Sequence, residues 1–198
     1  LRGRQAMTIS MTLLIVLIGI ALLFDFLNGL HDAANSIATI VATRVLQPHW
    51  AVLFAATFNF LAIFVFGLHV AETVGKGIIQ ADIVTPTVIF AALIGAIAWN
   101  VITWVFGIPS SSSHALIGGL VGAGLTKVGL SAIVWSGVLK TVLFIALSPT
   151  IGMLLALGLV LIVAWLCIRM TPLAVDKRFR HLQLVSAALY SLGHGGND

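Results

Sequence analysis

Charge is scarce in this chain. Ten Lys and Arg and six Asp and Glu make up 8% of its 198 residues, against about 25% in an ordinary soluble domain. With 60% hydrophobic residues and a mean hydropathy of +1.15, a water-soluble fold of this size has no way to hide its apolar surface. Soluble, disordered and secreted disulfide-scaffold classes are all excluded. The one cysteine, Cys167, permits no internal disulfide and no cysteine-based metal site. The long apolar runs lack the alternation of a transmembrane barrel. The first run, residues 8–27, lacks a small-residue cleavage site and leads into patterned polar sequence, so it reads as a retained span and not a signal peptide.

What is present is a series of runs long enough to cross a bilayer, each needing about 20 apolar residues. The first run extends as a more polar helix to about Arg44. A second span is expected at 50–70, a polar connector with Glu72, Lys76 and Asp82 at 71–86, and a third span at 87–106. Residues 131–167 form a run of 37 residues, about 55 Å as one helix, so two spans meeting near Ser148-Pro149 are expected. With the first three these make five crossings, an odd number, which puts the two ends of the run on opposite sides. Residues 169–181 hold Arg169, Lys177, Arg178 and Arg180 against Asp176 and read as a cytoplasmic loop, with the N-terminus outside. The net charge of +4 is thereby topology and not nucleic-acid binding.

Polar residues inside the apolar background mark function, because charge at membrane depth is costly. Asp25, Asn28, Asp32, Asn35 and Thr39 are spaced 3, 4, 3 and 4, one face of a helix. Two carboxylates and two amides exceed what helix packing requires, and Gly29 within the stripe is expected to let the helix loosen so that carbonyls join in cation coordination. The second feature is Gly107-Ile108-Pro109-Ser110-Ser111-Ser112-Ser113-His114. Gly and Pro stop one helix, serines cap the next, and a short apolar piece at 115–124 reads as the return arm of a re-entrant hairpin at about 107–125. Its N-terminal N–H groups and hydroxyls suit an anion. Ser110 precedes the helix start and reads as structural.

Asp198 is a third acid at membrane depth. Asn28-Gly29-Leu30-His31-Asp32 lines up with His194-Gly195-Gly196-Asn197-Asp198 at an offset of 166 residues, an echo typical of transporters built from repeated halves. An intramembrane serine hydrolase needs its base within reach of the nucleophile, yet neighbouring Ser113 and His114 diverge by about 100° on a helix. No spacing among His31, His114 and His194 supports a metal site.

These motifs resemble the inorganic phosphate transporter family. Asn28-Gly-Leu-His-Asp-Ala-Ala-Asn-Ser36 is similar to its first signature, Gly193-His-Gly-Gly-Asn-Asp198 to the opening of its second, and Gly107–His114 to its serine-rich hairpin. Trp99-Asn100 through Trp104 resemble bacterial members. The resemblance runs from about residue 14 to 198, with Gly196 where alanine is usual. It implies an all-α polytopic membrane protein, one half of an inverted-repeat secondary transporter with about five spans and a re-entrant hairpin. Residues 1–168 would be the first repeat, 169–181 the basic loop and 182–198 the start of the second repeat, whose remainder is an expected partner. It implies multi-pass placement in the bacterial inner membrane and symport of phosphate, free or as a metal–phosphate complex, with H⁺ or Na⁺ and no other cofactor. Ser111, Ser112, Ser113, Asn35 and Asn197 are then expected at phosphate, and Asp32, Asp25, Asn28 and Asp198 at the coupling ion. A carrier of another oxyanion such as sulfate is the alternative. The lipid bilayer is a further partner, and a homodimer is one expected assembly.

Overall fold

The structure is a computed structural model and describes residues 10–67 and 77–198. The start of the first run at Thr8, the end of the second at Val70 and the connector residues Glu72 and Lys76 lie outside the described residues. Among the described residues these α-helices follow one another: α1 (Met11–Ala42), α2 (Pro48–Phe66), α3 (Pro86–Phe106), α4 (Ser112–Val128), α5 (Trp135–Cys167) and α6 (Pro172–Asn197).

Local chemistry sets the helix limits. Pro48, Pro86 and Pro172 stand in the first turns of α2, α3 and α6, where a missing N–H costs nothing and the fixed φ is already helical. Gly107 ends α3 at φ +65°, ψ +28°, a left-handed cap that a Cβ would strain. Ser111 caps α4 by accepting the His114 N–H at 3.3 Å.

Five helices among the described residues are long and apolar enough to cross a membrane: Met11–Ala42, Pro48–Phe66, Pro86–Phe106, Ser112–Ala132 and Trp135–Cys167. That number matches the sequence reading, but the set differs. Residues 131–167 do not fold as two spans turning at Ser148-Pro149. They give the single 33-residue helix α5, with Pro149 inside it. Proline removes one N–H, and within a membrane hydroxyls and neighbouring backbone compensate. The carbonyl that loses its partner is that of Ile145; beside it, Thr150 Oγ1 donates to the Ala146 carbonyl at 2.8 Å. The fifth long apolar helix comes from the serine region instead. The helix expected over 115–124 runs for 17 residues as α4 and continues as a 3₁₀ turn over Gly129–Ala132. The helix is also continuous through Gly29, so no loosening occurs there. The basic segment 169–181 is not a loop: α6 begins at Pro172, and Arg180 Nε contacts Asp176 Oδ2 at 3.2 Å, one turn apart on that helix.

The chain forms two compact units, Leu1–His31 with Ile78–Ile133, and Asp32–Gly77 with Val134–Asp198. In the first, α3 packs along α4. Phe24 of α1 joins Leu93 and Ala96 of α3 in a core that Ala115 and Leu116 of α4 complete. A Cβ on Gly119 would meet the Ala92 backbone, so glycine allows the close approach. Lys127 closes the far end by donating to the Ile83 carbonyl at 2.8 Å and to Thr85 Oγ1 at 3.0 Å.

In the second unit Ile40 of α1, Ala51 of α2 and Ala187 of α6 form the core. Gln183 Nε2 donates to the Thr39 carbonyl at 3.0 Å, and Thr43 Oγ1 donates to Gln183 Oε1 at 3.1 Å. Along α6, Ala187 meets Ala51 and Gly195 meets Asn59, so α2 and α6 run parallel. Residues 32–43 run antiparallel to α6, with Gln183 at their end and His194 at their start. Helix α5 buries none of its residues, as suits a helix in lipid.

Candidate functional site

The first half of the α1 stripe belongs to the first unit. Asp25 is exposed and Asn28 half-buried, with the Asn28 Oδ1 atom buried and without a hydrogen-bond partner. His31 Nδ1 bonds the Leu27 carbonyl at 3.0 Å, which fixes the ring one turn back along its own helix.

The serine segment lies in the same unit, and its four hydroxyls are not equivalent. Ser110 Oγ accepts from the Trp99 indole Nε1 at 3.0 Å, tying the segment to α3. This agrees with its reading as structural. Ser111 is the cap of α4. Ser112 is 1% exposed, and its hydroxyl has no partner. Ser113 is exposed. Beside them, between α3 and α4, lies a cavity of about 600 Å³ lined by Gly95, Trp99, Ser110, His114, Gly118 and Gly122 among others. A buried, unsatisfied hydroxyl at a helix N-terminus is prepared to donate to an anion.

The second unit gathers the other half of the stripe. Asp32 accepts from Asn35 Nδ2 at 3.2 Å through Oδ1. Its other oxygen, Oδ2, lies 3.9 Å from His194 Nε2, and the same nitrogen lies 3.2 Å from Asp198 Oδ2. One ligand atom from each of Asp32, His194 and Asp198 falls within 4.8 Å of the others. The two carboxylates that the internal echo aligns are thus brought to one imidazole, and this set of donors fits a cation. Tyr190 stacks on His194, with centroids 6.3 Å apart and planes 11° from parallel, and holds the ring in place. Asn197 is exposed on the last turn of α6.

His194 was not singled out beside Asp32 and Asp198 by the sequence reading, which weighed it only with the other histidines. Its spacing of four from Asp198 was the available signal, since i and i+4 share a helix face. Ser36 and Ser191 were missed as well. They are 2% and 0% exposed, and neither hydroxyl has a partner. Gly196, where alanine is usual in the resembling family, packs against the Phe66 ring, with a Cβ there reaching 2.6 Å from Cδ2.

Comparison with known proteins places these features in context. The model of the phosphate transporter family matches residues 28–198. A probable low-affinity inorganic phosphate transporter of Rhizobium meliloti (strain 1021) is 71% identical over 191 residues, covering 96% of this chain and 57% of the relative. That of Streptomyces halstedii is 48% identical over 197 residues, covering 98% and 90%. The low-affinity inorganic phosphate transporter PitB of Escherichia coli (strain K12) is 32% identical over 216 residues, covering 94% and 43%. A solved structure, the sodium-dependent phosphate transporter, superposes with a TM-score of 0.74 at 28% identity, covering 94% of this chain and 55% of that one. The chain spans about half the length of most of these relatives. With five long apolar helices among its described residues it is a multi-pass protein of the bacterial inner membrane, and its relatives are transporters, not enzymes.

Proposed function

Because the chain belongs to the phosphate transporter family, we propose that it works in the symport of inorganic phosphate with a cation, H⁺ or Na⁺. The observation that carries this reading is the meeting of Asp32 and Asp198 at the His194 imidazole. Two carboxylates repel bare phosphate and attract a cation, so this end of the machinery is the cation's, with Asp25 and Asn28 of the same α1 stripe assisting. For phosphate the reading points to the N-terminal end of α4, where Ser112 and its neighbours Ser111 and Ser113 offer hydroxyls and helix-end N–H groups; in the other unit, Asn35 and Asn197 offer amides, the first hydrogen-bonded to Asp32 and the second beside Asp198 in sequence. Neither ion is buried cheaply alone, and a bound cation lowers the cost of burying phosphate. That mutual dependence is the physical basis of coupling. The cargo is phosphate, free or as a metal–phosphate complex. The sodium dependence named for the structural neighbour supports Na⁺ as one coupling ion.

The test is Asp32→Asn in the full-length protein. The change keeps the shape and removes the charge, so coupled phosphate uptake is lost while the protein still reaches the membrane. Near-normal uptake would remove Asp32 from the site. Arsenate, a close mimic of phosphate, should compete with uptake in the wild type and sulfate should not. The reverse order would assign the protein to another oxyanion.

A further inference from the structure

Helix α5 sets the membrane frame for its own unit. None of its residues is buried, as befits a helix surrounded by lipid. Trp135 at its start and Trp165 near its end are both exposed, and tryptophan gathers at the two membrane–water interfaces. They stand 30 positions apart, about 45 Å along a helix, and a bilayer with its headgroup layers is about 40–45 Å thick. The turn after α5 and the first turns of α6 therefore lie at headgroup level. Arg169, Lys177, Arg178 and Arg180 stand in this stretch against one acid, Asp176.

Beside that turn lies a cavity of about 540 Å³ with mixed walls. Val45, Met170, Val175 and Phe179 supply its apolar part, and Asp176 and Arg180 its charged part. Arg180 Nε and Asp176 Oδ2 meet at 3.2 Å, so this carboxylate is neutralised within the wall. Arg178 is engaged differently. Its Nη1 donates to Met170 Sδ at 3.8 Å, which holds the guanidinium at the cavity rim. A thioether is a weak acceptor, so most of the donor fork of Arg178 remains to be used. Such a fork matches the oxygens of a phosphate group. Inorganic phosphate would use the guanidinium and leave the apolar wall in water. A phospholipid uses both, because its phosphodiester and the first methylenes of its chains sit at this depth.

We propose that the corner between α5 and α6 binds one anionic phospholipid, with its phosphodiester on Arg178 and its chains against Val45, Val175 and Phe179. The surplus of cations around the cavity favours an anionic headgroup over a zwitterionic one. The site lies at the opposite end of α6 from His194 and is independent of the symport reading.

The experiment titrates the purified full-length protein in detergent with phosphatidylglycerol and, separately, with phosphatidylcholine, and counts bound lipid by native mass spectrometry. The wild type should retain one phosphatidylglycerol at a concentration at least tenfold below that needed for phosphatidylcholine. Arg178→Gln should remove most of this preference. Lys177→Gln removes the same charge from an exposed neighbour away from the cavity wall and should leave the preference intact. Val175→Trp, which fills the cavity and keeps every charge, should prevent retention; should that variant fail to fold, the exposed Arg178 and Lys177 variants still decide the matter. Equal losses in Arg178→Gln and Lys177→Gln would reduce the site to general attraction for an anionic surface and overturn the proposal. Retention undisturbed in a folded Val175→Trp protein would overturn the role of the cavity. Absence of any preference in the wild type would overturn the proposal outright, as when the rest of the full-length protein fills the cavity. Displacement of the lipid by inorganic phosphate would assign the site to the free ion instead.

Discussion

Ser110 and Ser112 stand two positions apart in one run of serines, and the structure uses them differently. Ser110 is committed to the Trp99 indole, whereas Ser112 is buried with its hydroxyl unspent. Replacing Ser112 with Ala should weaken phosphate binding by about 1.5–3 kcal/mol, the worth of a hydrogen bond to a charged group. Replacing Ser110 should change phosphate affinity little. Phosphate-dependent uptake curves of the two variants check this, and equal effects would refute the division of labour. The serine run stood out as a candidate anion site because four hydroxyls follow a Gly-Ile-Pro break. Which hydroxyl stays free was not legible, because that depends on the indole that α3 places beside the run. His194 was hidden for the same reason: it gains its meaning from Asp32 on another helix.

The helices themselves show where sequence rules hold and where they bend. Pro86 at the start and Gly107 at the end located α3 to within a residue or so, and the second span was placed close to the start of α2 at Pro48. Pro149 misled, because a proline that ends a helix in water is tolerated within lipid, where the chain has no better way to satisfy its backbone. The close pairing of α3 with α4 rests on Gly119. Gly119→Ala drives a methyl into the rigid Ala92 backbone and should destabilise the protein by about 1–3 kcal/mol, the usual cost of overpacking. Gly196→Ala presses only on the Phe66 ring, which is 45% exposed and free to swing aside, so its cost should be well below that of Gly119→Ala. Thermal unfolding of the detergent-solubilised variants compares them. An equal loss of stability in both would show that side-chain and backbone obstacles are alike here.

For the molecule as a whole, the distribution of charge sets the orientation. Arg169, Lys177, Arg178 and Arg180 cluster around the start of α6, and such clusters stay in the cytoplasm. Five long apolar helices precede them among the described residues; with all five crossing, the start of α1 is expected outside. In a protein with Cys167→Ser as background, Ser10→Cys should be labelled by an impermeant reagent from outside and Lys177→Cys only from the cytoplasmic face. Labelling of both from one side would mean an even number of crossings, and with it a second repeat parallel to the first.

The all-helical membrane class, the polar stripe on α1 and the serine run were all determined by the sequence alone. Each depends on composition or on spacing within one helix, and in a bilayer those local quantities carry most of the free energy of placement. Tertiary structure decided the rest. It made residues 131–167 one helix, drew 172–181 into α6 and brought Asp32 to His194 and Asp198 across 162 positions of chain between the first two. It also set Asn59 against Gly195. These outcomes turn on which faces of helices meet, and a helix face carries no mark of its partner until small residues such as Gly195 let two backbones come together.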